Sequence, residues 1–496
     1  MGASAAILTT RNCMASISPS IRQGSRLAAF AALITLFLAG CTAGPNYVRP
    51  PVQTPPGFKE AGNWKPAVPS DAIAKGNWWT IYNDTQLNSL EAQIDVSNQT
   101  LQAAQAQFAG ARAALKLARS PFYPSVSVAP SASRVHQSSN RAVATSSTVE
   151  SYGDLVLPVD VSYEPDLWGR VRRSVEAGRA EAQATAADLA NVSLSLHAEL
   201  ALDYFELRGL DTQKQLLDST VAADQKELDL TTSRYKGGIA SEVDVAQAQT
   251  QLESTRALDT DLAVNRASLE HAIAVLVGRP AALFTVAPLS LTVPPPAVPT
   301  GLPSDLLERR PDVAAAERRV QEANAEIGAI RAAYYPAVTL TGSAGVESAA
   351  ITTLFQGPAG FWALAGQAAE SIYSGGRRHA LTQQARAAYD LSVDNYRQTV
   401  LTAFQEVEDS LAALRILEQE TATEGAAVAA AQRSLALSNN RYKGGVASYL
   451  EVITAQSAAL SAERTAVDIL TRRMAASVLL IKALGGGWSI SRLPHV

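Results

Sequence analysis

The sequence predicts a mainly α-helical chain with a small membrane-type β portion, built from two copies of one unit. Three observations predict it. Segments near 168–232 and 375–440 keep helical apolar spacing over some 65 residues each. A pair of stretches alternating with a period of two precedes each of these helices. Finally, Ser233-Arg234-Tyr235-Lys236-Gly237-Gly238-Ile239-Ala240-Ser241 returns as Asn440-Arg441-Tyr442-Lys443-Gly444-Gly445-Val446-Ala447-Ser448, an offset of 207 residues from Arg234 to Arg441.

The bulk composition suits such a chain. Its 496 residues are 6% aromatic and 18% charged, too lean for several thick globular cores but suited to close packing of long helices. The net charge of −4, without a basic run, argues against nucleic acid as a partner.

Residues 1–40 read as a signal peptide. Arg11, Arg22 and Arg26 precede an apolar run, Leu27 to Ala39, with no acid before it. Spanning a bilayer takes about twenty residues, so this run is a signal core. Either Met1 or Met14 can be the start. The core ends in Leu38-Ala39-Gly40-Cys41, which resembles the bacterial lipobox. That resemblance implies cleavage before Cys41 and a covalent diacylglycerol and fatty acyl group there; Thr42, in place of an Asp, favours outer-membrane sorting. Removing 1–40 takes away the three arginines and no acid, so the formal charge becomes −7. Beyond Cys41 no apolar segment is long enough for a helical span.

The mature chain then divides into a Pro-rich N-terminal segment (41–83), repeat 1 (84–280), a Pro-rich linker (281–304), repeat 2 (305–484) and a tail (485–496). Each repeat holds a first helix (about 84–119, then 311–334), two β-like stretches, the long helix, the Tyr-Lys-Gly-Gly turn and a shorter helix (about 241–278, then 447–484). Val400, Phe404, Val407, Leu411 and Leu414 step by four and three, as do Leu200, Tyr204 and Leu207, which is coiled-coil spacing. A helix of 65 residues extends about 95–100 Å and must pack on other helices.

In the β-like stretches Leu155, Leu157, Val159, Val161 and Tyr163 share one face, and Asp160, Ser162 and Glu164 the other. Val338 and Leu340 likewise alternate with Thr339, Thr341 and Ser343, while 361–373 alternates poorly. One apolar and one small-polar face fits a membrane barrel and equally a half-buried soluble sheet. If these strands are in a membrane, several chains must share one barrel, because four strands cannot close and an open edge in lipid leaves backbone groups unsatisfied. Residues 137–151 and about 347–359 are then the outward loops.

No chemistry constellation appears. His136, His197, His271, His379 and His495 are scattered, so no metal site is predicted. Lys236-Gly237-Gly238 lacks the order of a phosphate-binding loop, and Gly485-Gly486-Gly487 ends a helix rather than opening one. The chain is not expected to be an enzyme.

Several motifs in order carry a family resemblance: Gly44-Pro45-Asn46-Tyr47 with Arg49-Pro50; Trp78-Trp79; Tyr163-Glu164-Pro165-Asp166-Leu167-Trp168-Gly169-Arg170; Leu307-Glu308-Arg309-Arg310-Pro311-Asp312-Val313 with Glu317; the two Tyr-Lys-Gly-Gly turns; and Ala483 to Trp488. The chain resembles the outer membrane factors, the TolC-like channels, and within them the lipidated NodT/OprM-type efflux members. The resemblance implies a homotrimer, four strands per chain in a shared 12-stranded β-barrel, and a long periplasmic α-helical barrel. It implies passive conduction in a tripartite efflux system, with a periplasmic membrane-fusion adaptor and an inner-membrane RND-type pump as partners and no cofactor beyond the Cys41 lipid. Type I protein secretion, heavy-metal efflux and a non-conducting periplasmic scaffold lipoprotein stand as alternatives.

The resemblance puts Tyr235, Lys236, Gly237, Gly238, Ser241, Tyr442, Lys443, Gly444, Gly445 and Ser448 at the periplasmic tip, where adaptors dock and the tunnel closes. Paired glycines permit the left-handed backbone of a tight turn, and Ser241 and Ser448 stand where the next helix needs an N-cap. Some relatives close the pore with an Arg–Asp bridge, but Ala447 and Thr454 occupy those places here. The gate candidates are therefore Tyr235, Glu242 and Asp244 in copy one, and Tyr442, Leu450, Glu451 and Thr454 in copy two, with Leu450 as an apolar ring and Asp244 or Glu451 as an acidic one.

Overall fold

The structure, a computed structural model, describes residues 42–61, 76–136, 138, 151–298 and 305–494. The signal peptide, Cys41, most of the 137–151 loop, part of the Pro-rich segments and His495 lie outside the described residues.

The helices are α1 (Thr85–Ser97), α2 (Gln99–Arg119), α3 (Arg170–Lys236), α4 (Glu242–Leu276), α5 (Pro311–Ala332), α6 (Arg377–Lys443) and α7 (Tyr449–Ala483). The strands are β1 (Ser125–Val128), β2 (Ser131–His136), β3 (Ser151–Tyr163), β4 (Ala337–Ser348) and β5 (Gly360–Ala369). α3 and α6 each have 67 residues and α4 and α7 each 35, so the duplication holds to the residue in both hairpins.

Two compact units divide the chain, and each draws on both repeats. One comprises Met1–Pro45, Arg119–Ser174 and Glu326–Thr382; the other comprises Asn46–Ala118, Val175–Ala325 and Gln383–Val496.

The first unit holds the sheet. Its strands pair antiparallel, with β1 and β2 on one side of β3 and β4 then β5 on the other. β1 and β2 are one strand in unbroken register: Val128 faces Val159, and Ser131 faces Val156. The gap falls where Pro130 and Pro158 remove backbone donors from the ladder. Gly345 sits opposite Pro158, and a Cβ there would meet the Leu157 carbonyl oxygen at 2.2 Å. In the same unit Trp168 stacks on Tyr335 at 4.9 Å and donates Nε1–H to the Pro336 carbonyl at 2.8 Å. Gly44 passes so close to Gly328 that a Cβ would lie 2.4 Å from its Cα.

The second unit holds the helical core. The coiled-coil positions Leu200, Tyr204, Leu207, Val400, Val407 and Leu411 are all buried, with Phe404 packed against them. Trp78 and Trp79 are buried in the larger cluster, which accounts for the Trp-Trp motif. Tyr47 donates to Glu317, and Arg49 donates from Nε to the Tyr396 hydroxyl at 3.2 Å, which ties the N-terminal motif to α5 and α6.

The helix expected over about 84–119 is broken at Asn98. Its backbone is extended there (ψ 121°), its Oδ1 caps α2 by accepting from Leu101 N–H at 2.9 Å, and its Nδ2 donates to the Leu276 carbonyl at 2.8 Å. A local side-chain cap interrupts the helix at this one residue. The break is invisible to apolar periodicity because both halves keep the same spacing.

Candidate functional site: the paired hairpin turns and the two-faced sheet

The helical unit presents two turns of identical construction. In the first, Gly238 takes φ +75°, Gly238 N–H donates to the Tyr235 carbonyl at 2.9 Å and Ile239 N–H to that of Arg234 at 2.8 Å. In the second, Gly445 takes φ +75°, with Gly445 to Tyr442 at 3.0 Å and Val446 to Arg441 at 2.9 Å. These bonds satisfy carbonyls that a helix C-terminus leaves bare. The left-handed backbone expected at these paired glycines is taken by the second of each pair; Gly237 and Gly444 have ordinary φ.

The next helices are capped unequally. Ser241 and Asp244 form a capping box, with Ser241 Oγ accepting from Asp244 N–H at 3.2 Å and Asp244 Oδ2 accepting from Ser241 N–H at 2.9 Å. Ser448 occupies the N-cap position of α7 without a side-chain cap bond, which corrects its expected role. Glu451, where copy one has Asp244, forms an ion pair with Arg441 at 3.2 Å instead.

The two turns are tied to each other through residues that periodicity did not single out. Arg234 lies 4.8 Å over the Tyr442 ring and donates to the Lys443 carbonyl at 3.2 Å. The Thr231 and Tyr442 hydroxyls are 3.2 Å apart, and Lys443 reaches Glu227 at 3.8 Å. Tyr442 packs with Tyr449, Ala248 and Val452 and is 4% exposed, whereas its repeat mate Tyr235 is 44% exposed. One tyrosine thus belongs to the joint and the other to the surface. Lys236, Glu242, Leu450 and Thr454 are exposed, and the Thr454 hydroxyl donates to the Leu450 carbonyl at 2.8 Å.

Behind the turns, buried Asp224 accepts from Thr255 Oγ1 at 2.7 Å and from Gln456 Nε2, joining α3, α4 and α7. Burial raises the Asp224 carboxyl, and the two donors oppose that rise. The repeat places Ala431 and Ala462 opposite Asp224 and Thr255, so this node exists once. No periodic signal could have found it.

The sheet is two-faced. Directly paired residues of an antiparallel ladder point to the same side. Val126, Val128, Leu155, Leu157, Val159 and Val161 therefore share a face with Leu340, Ala344, Val346, Trp362 and Leu364. Ser127, Ser131, Asp154, Asp160, Ser162, Thr341, Ser343 and Glu347 lie on the other. Leu364 and Trp362 are 79% and 76% exposed, too apolar a face to stand in water. β5 fits this pattern through Trp362 and Leu364 although its sequence alternates poorly.

An exposed apolar sheet face of this kind suits lipid, and paired helices of 67 residues suit a helical tunnel. The comparisons agree. A family model described as outer membrane efflux protein matches residues 91–279 and 302–486, once per repeat. The toluene efflux pump outer membrane protein TtgF of Pseudomonas putida is 32% identical over 474 residues, covering 93% of this chain and 97% of that one. Outer membrane protein OprJ of Pseudomonas aeruginosa is 30% identical over 476 residues, 93% and 96% of the two chains. Among solved structures, the outer-membrane channel OprN superposes with a TM-score of 0.84 at 28% identity, covering 90% of this chain and all of that one. The chain belongs to the outer membrane efflux protein family, with the TolC-like channel-tunnel fold. It is an outer-membrane efflux channel component.

Proposed function

We propose that three copies of this chain close one twelve-stranded barrel and conduct small solutes passively across the outer membrane. The observation that carries this reading is the four-strand sheet, apolar on one face, whose two outer strands leave unpaired edges. Within lipid such edges are untenable, and joining β1 and β2 of one copy to β5 of the next removes them. Cys41 carries the lipid anchor. The turns at Tyr235–Ser241 and Tyr442–Ser448 are the periplasmic tip, where a membrane-fusion adaptor docks and brings an RND-type pump. The Arg234–Tyr442 joint holds the tip closed at rest, and Leu450 with Glu242, Asp244 or Glu451 lines the narrow end. Energy and cargo selection reside in the pump, so this chain catalyses nothing. Apolar solutes of the toluene type, for which TtgF is named, fit as cargo.

Two experiments test this. Outer-membrane extracts run unheated should give a heat-modifiable trimer; a monomer at every temperature overturns the shared barrel. With Cys41 acylated, Ser241→Cys or Ser448→Cys supplies a unique reactive thiol in intact cells. Crosslinking there should capture a periplasmic adaptor, and free reaction without capture during active efflux refutes the docking assignment.

A further inference from the structure

The strands sort their charges completely by face. All three acids, Asp154, Asp160 and Glu347, lie on the polar face, while both basic side chains, Arg134 and His136, lie on the apolar one. The register is explicit: Arg134 pairs with Gly153 and His136 with Ser151, in phase with the Ala132–Leu155 pair. Apolar faces rarely carry a guanidinium, since a cation at the bilayer centre costs about 2–4 kcal/mol. Its position along the strand decides whether that cost applies.

Tyr163 closes the apolar face at the end of β3 that leads into α3, and exposed Tyr123 flanks the same end of β1. From the Tyr163 row to the Gly153 row is ten residues, about 34 Å of strand. At a barrel tilt near 40° this is a depth of about 26 Å, matching the roughly 25 Å apolar band of outer-membrane barrels. With tyrosine at one interface, Arg134 falls at the other, at headgroup depth on the loop-bearing side. Among the described residues no acid pairs with it, and the nearby acids Asp154 and Glu347 point through the opposite face.

We propose that Arg134 and His136 form a contact for the phosphate of a lipid headgroup in the leaflet on the loop side, repeated on each copy around the barrel. The guanidinium offers a planar fork suited to a phosphate, and His136, whose Nδ1 is 2.8 Å from Ser151 Oγ, stands two residues further along the same face. The segregated charge makes this face attract anionic headgroups without drawing anions into the polar interior. This inference rests on the membrane-barrel reading above.

The test uses the full-length protein reconstituted in phosphatidylcholine vesicles, with or without a bisphosphorylated, acylated glucosamine disaccharide lipid. Lipid retained through detergent exchange is counted by native mass spectrometry. Wild type should retain the phosphorylated lipid over its dephosphorylated form, and Arg134→Gln should reduce that preference about five-fold. Arg134→Lys, which keeps the charge, should preserve most of it, and Asp154→Asn, on the other face, all of it. Equal retention of both lipids by wild type, or a preference unchanged in Arg134→Gln, overturns the proposal. Failure of wild type to enter phosphatidylcholine bilayers would instead overturn the barrel reading.

Discussion

The guanidinium of Arg234, in the last turn of α3, lies 4.8 Å over the ring of Tyr442, in the last turn of α6. Both residues belong to the same repeated motif, yet the contact is not symmetric: Arg441 turns to Glu451 and Tyr235 to the surface. A duplicated sequence has been differentiated into a holder and a held part.

Arg234→Ala should therefore loosen the joint while leaving the fold intact. A cation over a tyrosine contributes about 0.5–2 kcal/mol, and the bond to the Lys443 carbonyl is lost with it. In planar bilayers the variant should open more often than wild type, and Tyr442→Phe, which keeps the ring, should open less than Arg234→Ala. Unchanged conductance in Arg234→Ala would remove this joint from the gate.

The two glycines of each turn should respond differently to alanine. Gly238→Ala and Gly445→Ala force a side chain into the left-handed region, at about 1–2 kcal/mol each. Gly237→Ala should be nearly neutral, since its Cβ would meet only ordinary contacts at 3.5 Å. Hydrogen exchange at the ends of α3 and α6 would read the difference, and equal loosening by Gly237→Ala and Gly238→Ala would contradict it.

The helix starts after the turns make a similar pair. Ser241→Ala removes a capping box and should cost about 1 kcal/mol locally, whereas Ser448→Ala removes no side-chain cap bond and should cost a few tenths. Amide exchange in the first turns of α4 and α7 separates these outcomes.

A pH dependence follows from Glu91. It is fully buried, 2.7 Å from His197 Nδ1, and burial pushes its carboxyl up to about 7 despite the histidine. A carboxyl raised on folding holds its proton more tightly in the native state, so its ionisation withdraws stability as pH climbs from about 4.5 to 7. Glu91→Gln should flatten denaturant midpoints over that window and raise stability above it, by up to roughly 3 kcal/mol. A midpoint that keeps its wild-type slope in Glu91→Gln would mean that Glu91 is ionised throughout.

Much of this was legible in one dimension. The 207-residue repeat, the 67-residue helices and the buried seam at Val400, Val407 and Leu411 follow from periodicity, which depends only on side-chain spacing. Asn98 escaped because a cap competes locally with a helix and leaves no mark on apolar spacing. The expected cap at Ser448 failed because a serine at the right place does not oblige its hydroxyl to bond. Arg234, Thr231 and Glu227 were hidden because their partners lie about two hundred residues away, on the other copy.

By itself the sequence determined the class of molecule: duplicated hairpins, period-two strands with one apolar face, and turns that only glycine can make. These are properties of short stretches, set by local sterics and by the partition of side chains between water and oil. Tertiary structure alone decided the asymmetry between the copies. Which tyrosine is buried, which serine caps, where Asp224 finds its donors and which charges share a face of the sheet all depend on neighbours far along the chain. A repeat makes local rules agree twice, but each pair of long-range partners meets only once.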